Sequence, residues 1–266
     1  MPKVSVLMGA YNCAEYVEEA IDSVLNQTFK DFEFIIVNDG SSDNTAEIVK
    51  EFEIKDDRIV FIENDRNHGL AYTLNHGLEY VKGEFIIRMD GDDISKPNRF
   101  ERLLEAMDEN PDYDVIGSAC DLFDKTGVWG EVSLNYKPNK LDAFYAMTVS
   151  HATVIMKTES LRAVGGYDIE TDKARAEDYD LWCRMVLNGY KLMSIPDKIY
   201  QVRWDRDNYY SRRPFKTKLE TARLIKRWHR QMGFGPKEYL AVIRTYMKAF
   251  IPSFAMKIYH KHKLQK

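Results

Sequence analysis

Three carboxylates stand within four residues in Arg88-Met89-Asp90-Gly91-Asp92-Asp93, directly after the apolar run Phe85-Ile86-Ile87. Like charges this close repel one another and make poor core, and a divalent cation compensates them most directly. The competing reading is an acidic loop that caps a helix. A calcium EF-hand loop does not fit. Counted from Asp90, its fifth and sixth positions hold Ile94 and Ser95 rather than an oxygen ligand and a glycine. A second acidic group, Arg175-Ala176-Glu177-Asp178-Tyr179-Asp180-Leu181-Trp182, opens the helical stripe Leu181, Met185, Val186. Asp178 therefore belongs at a helix N-terminus, either as a first-turn acid favoured by the helix dipole or as a chemical group. Tyr11 follows the strand-like run Val4 to Met8 and is placed to stack on a base or to pack as a lid. Asp39, before Gly40 in a polar turn, can accept a hydrogen bond from a nucleobase or ribose. His151 reads as a strand histidine, and Trp182 as core or as the wall of a binding site.

The elements that must position these groups follow from hydrophobic periodicity. Val4–Met8, Glu33–Val37, Arg58–Glu63 and Phe85–Met89 read as strands. Helical patterns follow the first three, carried by Val17, Ala20, Ile21, Val24 and Leu25, by Ala46, Val49 and Phe52, and by Ala71, Leu74, Leu78 and Val81. Such alternation predicts βαβ units and a parallel sheet, whose ligands bind beyond the carboxyl ends of the strands. Asn12 with Glu15 fits a capping box, and Pro97 a first-turn position before the stripe Phe100, Leu103, Leu104, Met107. Tyr113–Ala119 is a predicted strand and 121–131 a hairpin. His151–Met156 is a predicted strand, Thr158–Ala163 a short helix, and Lys191–Ile195 and Ile199–Arg203 two further strands. A polar loop over 204–213 precedes at least two helices. The dinucleotide fingerprint GxGxxG and the phosphate loop GxxxxGK[ST] are both absent after the first strand, which removes the ordinary NAD and kinase-type readings.

With 266 residues and 44% apolar content the chain can bury a sizeable core. No run of 18 apolar residues is present, and no signal-peptide pattern precedes the first strand, so the expected setting is cytoplasmic. Three dispersed cysteines, Cys13, Cys120 and Cys183, suit buried thiols better than a disulfide framework. Charge is uneven. From Arg203 onward 17 Lys and Arg face 4 Asp and Glu, and the tail interleaves Leu240, Ile243, Tyr246, Met247, Phe250, Phe254 and Ile258 with Arg244, Lys248, Lys257 and Lys261. This basic amphipathic pattern fits an anionic membrane surface, a contact between copies in a homo-oligomer, or packing on the acidic body. Nucleic acid is disfavoured, because no binding module accompanies the charge.

In order and spacing, Ser5-Val6-Leu7-Met8-Gly9-Ala10-Tyr11-Asn12, Ile36-Val37-Asn38-Asp39-Gly40-Ser41-Ser42-Asp43, Asn67-His68-Gly69-Leu70, Leu74-Asn75, Arg88 to Asp93, Gly165-Gly166-Tyr167-Asp168 and Glu177 to Trp182 resemble the family 2 glycosyltransferases, especially bacterial members that build capsule, exopolysaccharide or other surface glycans. The resemblance implies an α/β GT-A fold, a mostly parallel central sheet flanked by helices. It covers residues 1–213, with a nucleotide-sugar half at 1–109 and an acceptor-side half at 110–213, and leaves 214–266 as a basic helical extension. It implies an inverting hexosyltransferase-type enzyme that moves a sugar from a nucleoside diphosphate, a UDP-sugar by preference, to a glycan or lipid-linked acceptor. Ala10, Tyr11, Asp39, Arg88 and Asp90 match donor-binding positions. Asp92 closes the DxD motif that holds Mn or Mg, and Asp178 matches the catalytic base. Glu177, Trp182 and His151 would support the donor sugar or acceptor. Relatives often carry a metal-binding His after the last strand, where this chain has Arg203-Trp204-Asp205-Arg206-Asp207. Asp205 or Asp207 could substitute there, or Arg206, Arg212 and Arg213 could hold the diphosphate. A nucleotidyltransferase and an inactive sugar-nucleotide-binding scaffold are the alternatives.

Overall fold

The computed structural model describes residues 1–133, 137–145, 148–205 and 214–250, without the side chains of 248 and 249. Strands β1 (Val4–Ala10), β2 (Phe32–Asn38), β3 (Ile59–Glu63) and β4 (Phe85–Asp90) are parallel and lie in the order β3-β2-β1-β4. Helices α1 (Val17–Leu25), α2 (Thr45–Lys55) and α3 (Leu70–Leu78) connect them. Alternate residues serve opposite faces of the sheet. Val4, Val6 and Met8 of β1 pack with Ala20, Ile21 and Val24, whereas Leu7 packs with Leu74 and Leu78. Burial on both faces accounts for the unbroken apolar runs that made these strands readable.

Beyond β4 come β5 (Ile94–Ser95), α4 (Arg99–Glu109), β6 (Val115–Asp124), β7 (Gly127–Val132), α5 (Lys140–Phe144), β8 (Ile155–Lys157), α6 (Thr158–Ala163), α7 (Glu177–Leu187) and β9 (Leu192–Arg203). The sheet continues β4-β8-β6-β9-β5, with β7 hairpinned on β6. β8 runs antiparallel to β4 and β6, and β9 parallel to β6.

Three local expectations need correction. The segment His151–Met156 is not one strand: His151–Thr153 forms a 3-10 turn, and only Ile155–Lys157 pairs in the sheet. The turn is fixed from within, because the Thr153 hydroxyl donates to the Ser150 carbonyl at 2.9 Å. The two strands expected over 191–203 are the single strand β9. Ile195 pairs Ser118 and Lys198 pairs Ala119, so Pro196 and Asp197 form a bulge where the proline needs no ladder partner. Asn12 does not cap α1, whose N-cap is Tyr16 without a side-chain hydrogen bond.

The tail helices α8 (Phe215–Gln231) and α9 (Pro236–Phe250) pack on this body. Leu224, Trp228, Met232 and Val242 join Ala143, Phe144, Ala174 and Cys183 in a third apolar cluster. At its edge the fully buried Asp180 of α7 accepts from Arg184 Nε at 2.7 Å, from Trp228 Nε1 at 3.0 Å and from Arg227. Leu240, Ile243, Met247 and Phe250 remain exposed along one side of α9. Among the described residues no helix is long and apolar enough to cross a membrane.

Candidate active site

The sheet order reverses at β1, from which one connection leads toward β2 and β3 while β4 lies on the other side. Crevices at such a switch point hold ligands in open α/β sheets. Here the loops after β1 and β4 enclose a cleft of about 280 Å³ lined by Tyr11, Asn12, Cys13, Tyr16, Asp90 and Asp92. Gly91 permits the approach, since a Cβ there would lie 2.9 Å from Cys13 Sγ. Tyr11 is half exposed, its ring free to meet a planar group. Ala10 is buried, and its carbonyl accepts from Asp39 N–H at 2.8 Å, which joins the ends of β1 and β2.

Asn12 works as a latch between the loops after β1 and β2. Its backbone is left-handed (φ 48°), its N–H donates to Ser41 Oγ at 3.0 Å, and its Oδ1 accepts from Ser42 N–H at 2.8 Å. Asp39 is 3% exposed and accepts from Asn64 Nδ2 (2.8 Å), His68 N–H (2.9 Å) and Gly69 N–H (2.9 Å). Its carboxylate thus fixes the 64–69 turn at the rim of the cleft. Gly40 (φ 65°) lies against that turn, where a Cβ would come within 2.5 Å of the Arg66 carbonyl carbon.

The acidic loop is held from below by two buried arginines. Arg88 is 1% exposed and donates through Nη2 to Asp90 Oδ1 at 2.5 Å and through Nη1 to the Met89 carbonyl. Its guanidinium lies beneath Asp90 and orients that carboxylate. Arg99 Nη2 donates to the Arg88 and Ala152 carbonyls at 2.7 and 3.0 Å, and its guanidinium sits 4.3 Å from the Tyr200 ring. Burial, with Asp90 and Asp92 nearby, holds the Asp93 carboxyl well above the usual range, and its Oδ1 accepts from Arg203 N–H at 2.7 Å. Asp92 reaches solvent, yet the crowded protein around it and the charge of Asp90 push its carboxyl up to about 6. Arg203 Nε donates to the Asp92 carbonyl at 2.8 Å, its guanidinium lies 4.4 Å from the Tyr16 and Phe123 rings, and it pairs with Glu19.

A second group lies on the far side of Arg88. His151 Nε2 meets the Tyr167 hydroxyl at 2.9 Å, and its ring contacts those of Tyr167 and Trp182 at centroid distances of 5.5 and 5.9 Å. Burial and the Arg88 charge hold His151 well below its ordinary pKa, so it is neutral. Tyr167 is clamped by Asn75, whose Oδ1 accepts from its N–H and whose Nδ2 donates to its carbonyl, both at 2.8 Å. Burial raises its hydroxyl most, Arg88 opposes the rise, and the charges of Glu177, Asp178 and Asp90 add to it. Glu177, at the start of α7, is pushed up to about 7 by burial and by Asp178. Asp178 Oδ1 accepts from Tyr179 N–H at 2.7 Å. Trp182 is 1% exposed, and its indole N–H has no partner among the described residues.

The structure therefore gathers Tyr11, Asp90 and Asp92 in one cleft, with Ala10, Asp39 and Arg88 supporting its floor and rim. Glu177, Asp178, Trp182 and His151 form a neighbouring group beyond Arg88. Arg206, Asp207, Arg212 and Arg213 lie outside the described residues, among which no cluster of three metal-ligating side chains occurs. Periodicity could not reveal Arg203 or Asp172. Asp172 Oδ1 accepts from Ala71 N–H at the start of α3 at 3.0 Å, from 101 residues away. The same carboxylate leaves no room for a side chain at Gly69 (φ 96°), where a Cβ would meet Asp172 Oδ2 at 2.5 Å.

Comparison with known proteins gives the family and the fold. A family model described as glycosyl transferase family 2 matches residues 5–164. The Bacillus subtilis protein named "Putative glycosyltransferase EpsE" is 34% identical over 264 residues, 99% of this chain and 95% of that protein. The crystal structure of residues 1–349 of Staphylococcus aureus TarS in complex with UDP-GlcNAc superposes with a TM-score of 0.71 at 22% identity, covering 93% of this chain and 72% of that one. The mannosyltransferase PcManGT from Pyrobaculum calidifontis, in complex with GDP-Man and Mn2+, gives a TM-score of 0.67 at 18% identity, covering all of this chain and 81% of that one.

Proposed function

Because the chain belongs to glycosyl transferase family 2 and has the GT-A fold, we propose that it transfers a sugar from a UDP-sugar to a hydroxyl of a growing cell-surface glycan, with inversion at the anomeric carbon. The observation that carries the reading is the shared cleft of Tyr11, Asp90 and Asp92 at the β1/β4 switch point. Tyr11 stacks on the base, Asp39 accepts from the base edge, and Asp90, held by Arg88, faces the ribose. UDP-GlcNAc in the TarS complex supports the choice of nucleotide, and the resemblance to capsule and exopolysaccharide enzymes supports the destination.

A divalent cation suits the residues present. Asp90 is already paired with Arg88, whereas Asp92 reaches solvent and carries a carboxyl raised by the protein crowded around it and then by its like-charged neighbour. Asp92 would hold Mg or Mn beside the donor diphosphate. Mn2+ in the PcManGT complex is consistent with this. When bound, the metal supplies positive charge to the departing diphosphate. Asp178 accepts the proton of the attacking hydroxyl as the oxygen bonds to the anomeric carbon and the bond to the diphosphate breaks. Glu177, whose carboxyl burial and Asp178 push up to about 7, holds its proton more readily than an ordinary carboxyl and so eases the charge beside Asp178. The exposed apolar side of α9, with Arg244 beside it, is the part we assign to peripheral contact with an anionic membrane face.

Calorimetry with UDP, dTDP and GDP, with and without Mn, tests the donor site, and product analysis with the matching nucleotide sugar tests transfer. Asp178→Asn should bind UDP as the wild type does and release at least 100-fold less glycosylated product. Full transfer by that variant would remove Asp178 from the mechanism, and a product carrying the nucleotide would replace glycosyl transfer by nucleotidyl transfer.

A further inference from the structure

Helix α3 begins without a cap of its own, because its N-cap residue is Gly69, which has no side chain to offer the N–H groups of the first turn. Two carboxylates from other parts of the chain take that place. Asp39, just after β2, accepts from His68 N–H and Gly69 N–H, both at 2.9 Å, and Asp172 accepts from Ala71 N–H at 3.0 Å. Asp172 also packs directly on Gly69, where its Oδ2 fills the space a Cβ would need. The 3-10 turn Ile169–Ala174 that carries Asp172 is itself pinned. Glu170 N–H donates to Asp168 Oδ1 at 3.1 Å, the Thr171 hydroxyl donates to the Asp168 carbonyl at 2.5 Å, and Arg227 of α8 holds the Asp168 carboxylate at 3.2 Å. Ala71, Leu74 and Leu78 seat α3 on the sheet, but apolar contacts are non-directional and fix the place of its first turn less sharply than these hydrogen bonds do.

The place of that turn matters at Asp39. A carboxylate offers about four lone-pair positions, and Asp39 spends three of them on Asn64, His68 and Gly69. The direction left for a ligand is therefore decided by the turn that takes the other three. We propose that Asp172 is a positioning residue for the nucleotide site: it holds the first turn of α3 and, through His68 and Gly69, aims the Asp39 carboxylate at the base. The inference rests on the reading above in which Asp39 meets the nucleotide. Asp172 acts through the α3 backbone and needs no contact with the ligand. A residue of the acceptor-side half, 133 positions beyond Asp39, thus shapes a site built by the nucleotide-side half.

The test is calorimetric titration of UDP, with Mn present, into the full chain as wild type, Asp172→Ala, Asp172→Asn and Asn139→Ala, with urea unfolding of each protein alongside. Asn139 is the control, a cap that accepts from Leu141 N–H and Asp142 N–H at the start of α5 and lines no part of the Tyr11 cleft. Asp172→Ala should weaken UDP binding about tenfold, because the aim of Asp39 is lost. Asp172→Asn still presents Oδ1 to Ala71 N–H and should stay within about twofold of the wild type. Asn139→Ala should lose stability with UDP affinity unchanged. Unchanged affinity in Asp172→Ala, or an Asn variant as weak as the Ala one, overturns the positioning role and leaves glycosyl transfer standing. Equal weakening by Asn139→Ala overturns it as well, since affinity would then follow stability in general. If Asp172→Ala does not fold, Asp172→Ser, whose hydroxyl is too short to reach Ala71, is judged by the same criteria. Failure of the wild type to bind UDP overturns both readings.

Discussion

Replacing Glu177 by Gln should stabilise the protein, and the gain should depend on pH. The carboxyl at the start of α7 is pushed up to about 7 by burial and by the adjacent Asp178. A folded-state value above the unfolded one means that the native protein binds the extra proton. Stability is therefore full below the ordinary carboxylate range and is lost as pH rises through about 7. The rise corresponds to roughly 3 kcal/mol at the alkaline limit, an upper bound because the side chain keeps some contact with water. Gln keeps the shape and cannot ionise. Urea unfolding of the two proteins without nucleotide, at pH 5 and pH 8.5, measures the difference directly. The variant should exceed the wild type by less than about 1 kcal/mol at pH 5 and by about 2–3 kcal/mol at pH 8.5. Asp92 and Asp93 titrate in both proteins, so the readout is the gap between them. A gap of the same size at both pH values would refute the argument that ionising Glu177 opposes folding.

Asp92, with its carboxyl near 6, must ionise to hold a cation, so Mn-dependent enhancement of UDP binding should fall about tenfold per pH unit below that value and vanish in Asp92→Ala. Arg227→Ala removes one of the three donors to the buried Asp180 and should cost about 2–3 kcal/mol in urea unfolding. The same variant should lower transfer while UDP affinity stays within a factor of about two, because Arg227 bonds Asp168 and Asp180 and none of the residues lining the Tyr11 cleft. Gly40→Ala adds a methyl against the Arg66 backbone at a left-handed position, and should destabilise by about 1–3 kcal/mol while weakening UDP binding measured by calorimetry.

What the sequence reveals of this molecule depends on how local each cause is. The four parallel strands are readable to within a residue or two because burial on both faces demands continuous apolar runs, as in Phe32–Asn38. That Asp90 and Asp92 share one cleft is legible because a single short loop carries both. Pro196 interrupts the apolar pattern of β9 although the strand passes through it as a bulge, and Asn12 imitates a cap while its partners are Ser41 and Ser42 on another loop. Arg203 and Asp172 are invisible to periodicity, because each gains its meaning from a partner about a hundred residues away.

The hydrogen bond from Arg203 N–H to Asp93 spans 110 residues, and the Asp92 carbonyl depends on the same arginine. A chain emerging from the ribosome displays its acidic loop long before the residue that settles it has been made. At about 5–20 residues per second the interval is several seconds, during which β1 to β4 can pair while Asp90, Asp92 and Asp93 repel one another without that restraint. The cleft after β1 and β4 is thus among the last features of the body to mature, and a nascent chain halted before β9 would hold the β1 to β4 sheet with its acidic loop unrestrained.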